Sequence, residues 1–372
     1  MKIWLKVTVV SAVMAAVLWG CGDHDSNGGV PAAQRHILES AVEHIVIPNH
    51  LTLQNRLETL QTQVDNFCSV SAGSRTAEEL STLQTSWMLA MDAWTTLQVV
   101  RFGPVKESNR QLSVQFWPDP GNKVSVAAEQ IVASTATIDE IFIAASTVQS
   151  QGLPLMEYLL FAGTVDDPLA DLNSIDGTRR CDLLSAVNSY LHTTATTLHQ
   201  RWTDSYASEV TNPGNSGEFA DEQEAIDELV NSMVELLQVI QNNKLADPLG
   251  ETTPNPEAAE SYRSQHSLNN IIKNLEGLRE IYRGGSGYGF DDYLRIAVDQ
   301  AIVDAGMEDL IQQSISAAQS ISMPLTLAVS DSDQKALVQV LEQQILTLTA
   351  YIENDFATAM DASLGFNAND GD

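Results

Sequence analysis

The chain has 372 residues, which is enough for two domains of ordinary size, each with its own hydrophobic core. Its 49 acidic and 19 basic residues give a formal net charge of -30 at pH 7. A charge of this sign argues against nucleic acid as a partner and against electrostatic docking on anionic lipid.

Residues 1–20 have the pattern of a targeting segment rather than of a folded element. Lys2 and Lys6 form a basic start, and residues 7–20 form an apolar run that is too short to span a bilayer. We therefore expect residues 1–20 to be a signal peptide and the mature protein to be exported.

The apolar run ends in Leu-Trp-Gly-Cys at residues 18–21, which resembles the lipobox of bacterial lipoproteins. The resemblance implies that Cys21 is lipidated and becomes the mature N-terminus; an ordinary secretory signal is the alternative. Gly22 rather than an acid follows the cysteine, which in such lipoproteins is typical of the outer membrane. We expect residues 21–34 to be a lipidated tether that holds the protein in the periplasm through its membrane anchor.

From residue 35 onward, apolar residues recur every three or four positions and strand-like alternation is absent, so the sequence predicts an all-α fold. Asparagine, glycine and proline concentrate at 211–217, which is the clearest linker. We therefore predict two packed helical-bundle lobes, an N-terminal one at 35–210 and a C-terminal one at 218–366.

Several helix boundaries can be predicted from local signals. Thr76 and Glu79 have the spacing of a capping box at the start of a helix. Pro48 predicts a kink in the helical pattern that runs through it. A further helix is expected from about Ser267 to Arg283, where a glycine-rich turn follows.

Two cysteines remain once Cys21 is assigned to the lipid. In an oxidising compartment, Cys68 and Cys181 could form a disulfide across a long loop. Two buried free thiols are the alternative, and the sequence leaves both open.

The segment 152–161, Gly-Leu-Pro-Leu-Met-Glu-Tyr-Leu-Leu-Phe, is apolar on every side except for one carboxylate. Such a helix belongs in a core, and Gly152 followed by Pro154 is a good helix start. Glu157 should therefore be buried. A buried carboxylate needs a cation, several hydrogen-bond donors or a metal, or it keeps its proton.

The same segment resembles the signature region of the imelysin-like family, which carries a G-x-H-x-x-E motif. Four further segments resemble other parts of the family pattern: 94–105, 116–119, 260–264 and 274–282. The resemblance implies an all-α fold of two bundle-like lobes with the motif near their interface. It also implies an association with bacterial iron uptake and a classification as metallopeptidases.

The sequence departs from this motif at its histidine. Gly152 and Glu157 match the glycine and the acid, but Pro154 stands where the family has His. Proline has no nitrogen lone pair for a metal, so the metal pair of the family is not carried over. We therefore assign no metal ligands and no catalytic residues, while iron or another metal remains open as a cofactor.

We predict a ligand site at the lobe interface around Glu157. A polar stripe at helical spacing should face the acid, Arg101 and Arg110 are candidate counter-ions, and Gly152 belongs to the same motif. The alternative is a structural ion pair that fixes the arrangement of the lobes. The remaining candidates of the stripe are Arg263, Ser264, Ser267, Asn270 and Asn274.

Three functions remain from this reasoning. The first is an exported binding or uptake component, related to iron and working with other envelope proteins of a metal-uptake system. The second is a metallopeptidase of the imelysin type, which would need a further metal ligand. The third is a structural or partner-binding lipoprotein. The first and third differ in whether a polar cavity lies beside Glu157.

Overall fold

The structure is a computed structural model that describes residues 26–164, 166–215 and 217–365. The predicted signal peptide and Cys21 lie outside the described residues. Residues 26–34, expected as part of the tether, belong to the first helix. No helix in the described ranges is both long and apolar enough to cross a bilayer.

The described residues are mostly helical and contain no β-strand, so the predicted all-α fold is confirmed. The longer helices are α1 Ser26–Ser40, α2 Ile47–Ser69, α3 Ala77–Leu97, α4 Lys123–Ala133, α5 Gly152–Phe161, α6 Gly177–Arg201, α7 Glu222–Val239, α8 Ser267–Arg283, α9 Ala301–Ser320 and α10 Ser332–Tyr351. Shorter α-helices are Arg110–Val114, Glu140–Ala144, Pro168–Leu172, Ala207–Thr211, Asp247–Leu249, Phe290–Asp292, Leu325–Ala328 and Ala357–Met360. Single 3₁₀ turns are Gly103–Val105, Glu107–Asn109, Val148–Ser150 and Pro256–Ala258, and π-helical segments are Ala41–Val46, Trp202–Tyr206, Ile240–Ala246, Tyr293–Ala297 and Ile352–Phe356.

Local sequence signals account for several of these boundaries. The capping box of α3 is confirmed: the Thr76 side chain accepts a hydrogen bond from the Glu79 amide, and the Glu79 carboxylate accepts one from the Thr76 amide at 2.8 Å. The π-helical segments 41–46 and 240–246 end two residues before Pro48 and Pro248, respectively. Because proline cannot donate a backbone hydrogen bond, the preceding turn lacks its regular partner and widens.

The buried apolar residues form two cores. The first core is built by α2 to α6. The second core is built by α1 and α7 to α10, and it also includes residues 99–102 and 202–210. The chain therefore passes between the two cores several times before it reaches 211–217. The boundary between lobes at 211–217 stays a prediction, because shared packing does not test independent folding.

A disulfide joins Cys68, near the end of α2, to Cys181, near the start of α6. This is one of the two alternatives that the sequence left open. The bond closes a loop with a sequence separation of 113 within the first core. It fastens two helices that also pack along each other.

Candidate functional site

The start of α5 is fixed by a glycine. Gly152 has φ +83°, and a Cβ atom there would clash with the carbonyl oxygens of Ser113 and Val114. Pro154 follows in the first turn, where its missing amide hydrogen costs no helical bond. Gly152 thus acts by letting α5 approach residues 113–114 closely, and in this way it sets the position of Glu157.

Glu157 is only 3% exposed, so its predicted burial is confirmed. Its Oε1 accepts hydrogen bonds from the Ser264 backbone amide at 2.8 Å and from the Ser264 hydroxyl at 2.8 Å. That hydroxyl also lies 3.0 Å from the Ser261 carbonyl oxygen, so its single proton serves one acceptor at a time. No residue in the described ranges donates a hydrogen bond to the other oxygen, Oε2.

Burial raises the pKa of the Glu157 carboxyl above its ordinary value, because the charged form loses its hydration. The Ser264 hydrogen bonds and the positive charge of Arg263 oppose this rise. The Arg263 guanidinium does not pair with the acid. It lies over the Tyr262 ring at 4.4 Å and the Tyr158 ring at 5.7 Å, with Asn122 Oδ1 at 3.5 Å.

Arg101 and Arg110 are not counter-ions of Glu157, and this part of the prediction was wrong. Arg101 Nε donates to Glu235 Oε2 at 3.0 Å. Arg110 Nη1 donates to Glu107 Oε2 at 2.8 Å and to the Pro104 carbonyl oxygen at 2.9 Å. Each arginine forms an ion pair with a different glutamate, and helical spacing alone could not reveal these partners.

The polar stripe on α8 exists, but its asparagines contact a second buried acid, Glu260, and the lysine paired with it, Lys244. Asn270 Nδ2 donates to Glu260 Oε2 at 2.8 Å. Asn274 Oδ1 accepts from Lys244 Nζ at 2.7 Å. The Ser267 hydroxyl is buried and finds no hydrogen-bond partner within the described part of the chain. Of the predicted stripe, only Ser264 contacts Glu157.

Glu260 and Lys244 form a buried ion pair that sequence reasoning missed. The Nζ–Oε2 distance is 2.8 Å, and both side chains are 2% exposed. Glu260 Oε1 accepts from Gln115 Nε2 at 2.7 Å, and Lys244 Nζ also donates to Gln98 Oε1 at 3.1 Å. Burial lowers the pKa of Lys244, while the carboxylate opposes this.

A cavity of about 370 Å³ opens between the two cores beside Glu157, and we name it the interlobe cavity. One wall comes from the first-core side, including Pro154 and Glu157 of α5, and the other from the segment 255–263. Aromatic side chains in its lining include Phe116, Trp117 and Tyr262. Among the described residues, its charged lining residues are Asp119, Glu157, Asp247, Glu257, Glu260 and the single base Arg263.

The donors around Glu157 do not fit a bare resident metal ion. In the described ranges, no group of three or more His, Cys, Asp or Glu side chains is placed to hold one. Pro154 lines the cavity beside Glu157 and supplies no ligand atom. The arrangement can instead accept one hydrogen-bonding or charged group at Glu157 Oε2, with a larger body in the cavity.

These features define a class of all-α protein with two helical cores and an acid-lined cavity between them. The family model described as Imelysin matches residues 46–352, and the chain belongs to the imelysin family.

Two solved structures share the fold. An imelysin-like protein from Psychrobacter arcticum superimposes with a TM-score of 0.75 at 19% sequence identity, covering 90% of this chain and 98% of that one. A Parabacteroides distasonis protein described as an iron-regulated protein A precursor gives 0.71 at 17% identity, covering 88% and 95%.

A sequence comparison also finds a relative. Iron-regulated protein A of Synechococcus elongatus is 23% identical over 253 residues, which span 66% of this chain. The match covers 64% of that relative, which is less than two thirds of its length.

Proposed function

We propose that this protein is an exported binding component of the cell envelope that holds a ligand in the interlobe cavity against Glu157. The observation that carries the proposal is the open Oε2 of a carboxylate that is only 3% exposed. Because no described residue donates to Oε2, this oxygen can accept a charge-assisted hydrogen bond from a ligand in the cavity. The relatives described as iron-regulated support a role connected with iron.

The proposed location is the periplasm, with Cys21 lipidated and anchored in the outer membrane. The signal pattern of residues 1–20 supports export. The disulfide between Cys68 and Cys181 supports an oxidising compartment. Other envelope proteins of a metal-uptake system are the proposed partners.

Membrane fractionation of wild type and Cys21→Ser tests the anchor, because the variant should move to the soluble fraction. A variant that stays with the membrane contradicts the proposed anchor.

The proposed function is binding without catalysis. A metallopeptidase of the imelysin type would need further ligands around Glu157, and Pro154 offers none. A purely structural role would not require a cavity beside Glu157. The cavity has a volume of about 370 Å³, which is in the ordinary range for small-molecule sites.

Native mass spectrometry tests the ligand site without assuming the ligand. The mature protein is incubated with the small-molecule fraction of its own source cells, grown with and without iron limitation. We expect a bound mass on the wild type that Glu157→Gln loses. Glu257→Gln is the matched control, since Glu257 lines the same cavity but is exposed. A wild type without bound mass, or an equal mass on Glu157→Gln, overturns the proposal.

A further inference from the structure

We propose that the occupant of the interlobe cavity is a compact organic cation, bearing an ammonium or guanidinium group, rather than a bare metal ion. This inference rests on the proposed function and specifies the ligand class of the same site. The charged group of the ligand would meet Glu157 Oε2, and its body would pack on the aromatic side chains Phe116 and Trp117.

Glu157 is held in place by the protein but has one oxygen open to a ligand. Its Oε1 is satisfied by Ser264, which directly follows the wall segment 255–263, and these hydrogen bonds hold the carboxyl group in one orientation. Its Oε2 has no donor from the described residues, although the side chain is almost fully buried at the cavity wall. A fixed carboxylate with one open oxygen is built to accept one more charged hydrogen bond.

The electrostatic potential inside the cavity is negative. Among the described residues, five lining residues are acids and Arg263 is the one lining base. Both oxygens of Glu260 are occupied by Lys244, Gln115 and Asn270, and Asp119 accepts from the backbone amides at the start of α4. Asp247 and Glu257 are exposed, and their charges attract cations toward the opening.

Aromatic side chains in the lining are available to a ligand. Phe116 and Trp117 are half-buried in the wall, and neither has a ring partner or a cation over its face within the described ranges. Aromatic faces combined with a carboxylate bind organic ammonium and guanidinium groups. Tyr262 differs, because Arg263 already covers its ring. The preferred position of an organic cation is therefore on the side of Phe116 and Trp117.

The ligand atoms around the cavity suit an organic cation better than a metal ion. A hard or borderline metal needs several convergent oxygen or nitrogen ligands. The described residues hold no such group of three or more His, Cys, Asp or Glu side chains. An ammonium group needs only one carboxylate oxygen and apolar contact, and the cavity supplies both.

Isothermal calorimetry with three matched probes tests the inference. The probes are phenethylammonium, its neutral analogue 2-phenylethanol and the anion 3-phenylpropionate, each titrated into the mature protein at pH 7. We expect phenethylammonium to bind at least about 10-fold more tightly than 2-phenylethanol, since a buried charge-assisted hydrogen bond gives a preference of this order. The anion should bind most weakly.

Two variants and one metal salt locate the effect. Glu157→Gln should abolish the preference for the cation, with an unchanged circular dichroism spectrum, whereas Glu257→Gln should keep most of it. Trp117→Leu should weaken phenethylammonium binding while leaving Glu157 in place. Equal affinity for the cation and the neutral analogue, or no binding of the cation, overturns the inference. Glu157-dependent binding of ferrous sulfate alone would also overturn it, while leaving the proposed binding function standing.

Discussion

Two buried glutamates at the interface between the cores differ in how their charges are satisfied. Glu260 is 2% exposed, and Lys244, Gln115 and Asn270 occupy its two oxygens. Glu157 is 3% exposed, yet among the described residues it accepts hydrogen bonds from Ser264 alone and at one oxygen only. Both side chains line the same cavity.

The difference shows why burial of an acid does not by itself indicate a site. A carboxylate whose oxygens are all engaged by the protein depends on those partners and has little capacity left for a ligand. A carboxylate that is held rigidly at one oxygen and open at the other has capacity for a ligand. Glu260 belongs to the first kind, and Glu157 belongs to the second.

The largest effect should come from breaking the saturated pair. Lys244→Met leaves Glu260 buried with no cation, so the free energy of unfolding should fall by about 3–5 kcal/mol. Chemical denaturation at pH 7 measures this loss. The double variant Lys244→Met, Glu260→Gln should recover a large part of it, because no uncompensated charge remains. A single variant with wild-type stability would contradict the structural role of the pair.

The next effect concerns the position of α5. Gly152→Ala places a Cβ against the carbonyl oxygens of Ser113 and Val114 at φ +83°. A strained residue of this kind costs about 1–3 kcal/mol, and moving α5 would also shift Glu157. Both the stability and the affinity for phenethylammonium should therefore fall. Exposed Gly73 has φ +90° and open space around it, so Gly73→Ala is a control for the strain alone.

A smaller effect is expected where Ser264 meets the acid. Ser264→Ala removes the hydroxyl but keeps the backbone amide, so stability should fall by about 1 kcal/mol. Because the Ser264 hydrogen bonds hold the pKa of Glu157 down, that pKa should rise further in the variant. Cation binding at neutral pH should weaken accordingly, and calorimetry across a pH series measures this. A variant with the pH profile of the wild type would show that the hydroxyl does not act on the acid.

The smallest effect is a pH trend that belongs to Glu157 alone. Burial raises its pKa in the folded protein, so the folded state binds the proton more strongly than the unfolded state. The stability contribution is therefore greatest below the ordinary glutamate pKa and is lost as the pH rises through the raised value. Glu157→Gln lacks this loss, so the variant should gain stability relative to the wild type between acid and neutral pH. Denaturation of both proteins over that range measures the difference, and a difference that is flat with pH contradicts the raised pKa.

Much of the fold could be predicted because its signals are local. The capping box at Thr76 and the helix Ser267–Arg283 depend on residues close in sequence, and both were predicted correctly. The burial of Glu157 also followed from its neighbours in the segment 152–161, since a helix that is apolar on all sides lies in a core.

The partners of the site could not be predicted in the same way. Helical spacing placed Asn270 and Asn274 on one face, but it could not say that this face meets Glu260 and Lys244. The open oxygen of Glu157 depends on distances between segments that are more than 100 residues apart, and no local pattern encodes them.

The way the chain alternates between the two cores has a consequence for attempts to split the molecule. Residues 37–46, 99–102 and 202–210 all contribute to the second core, although they precede 211–217. A single proteolytic cut in that stretch should leave a nicked particle that migrates as the intact protein on gel filtration. The two fragments made separately should each expose apolar surface and regain their helical packing only when mixed.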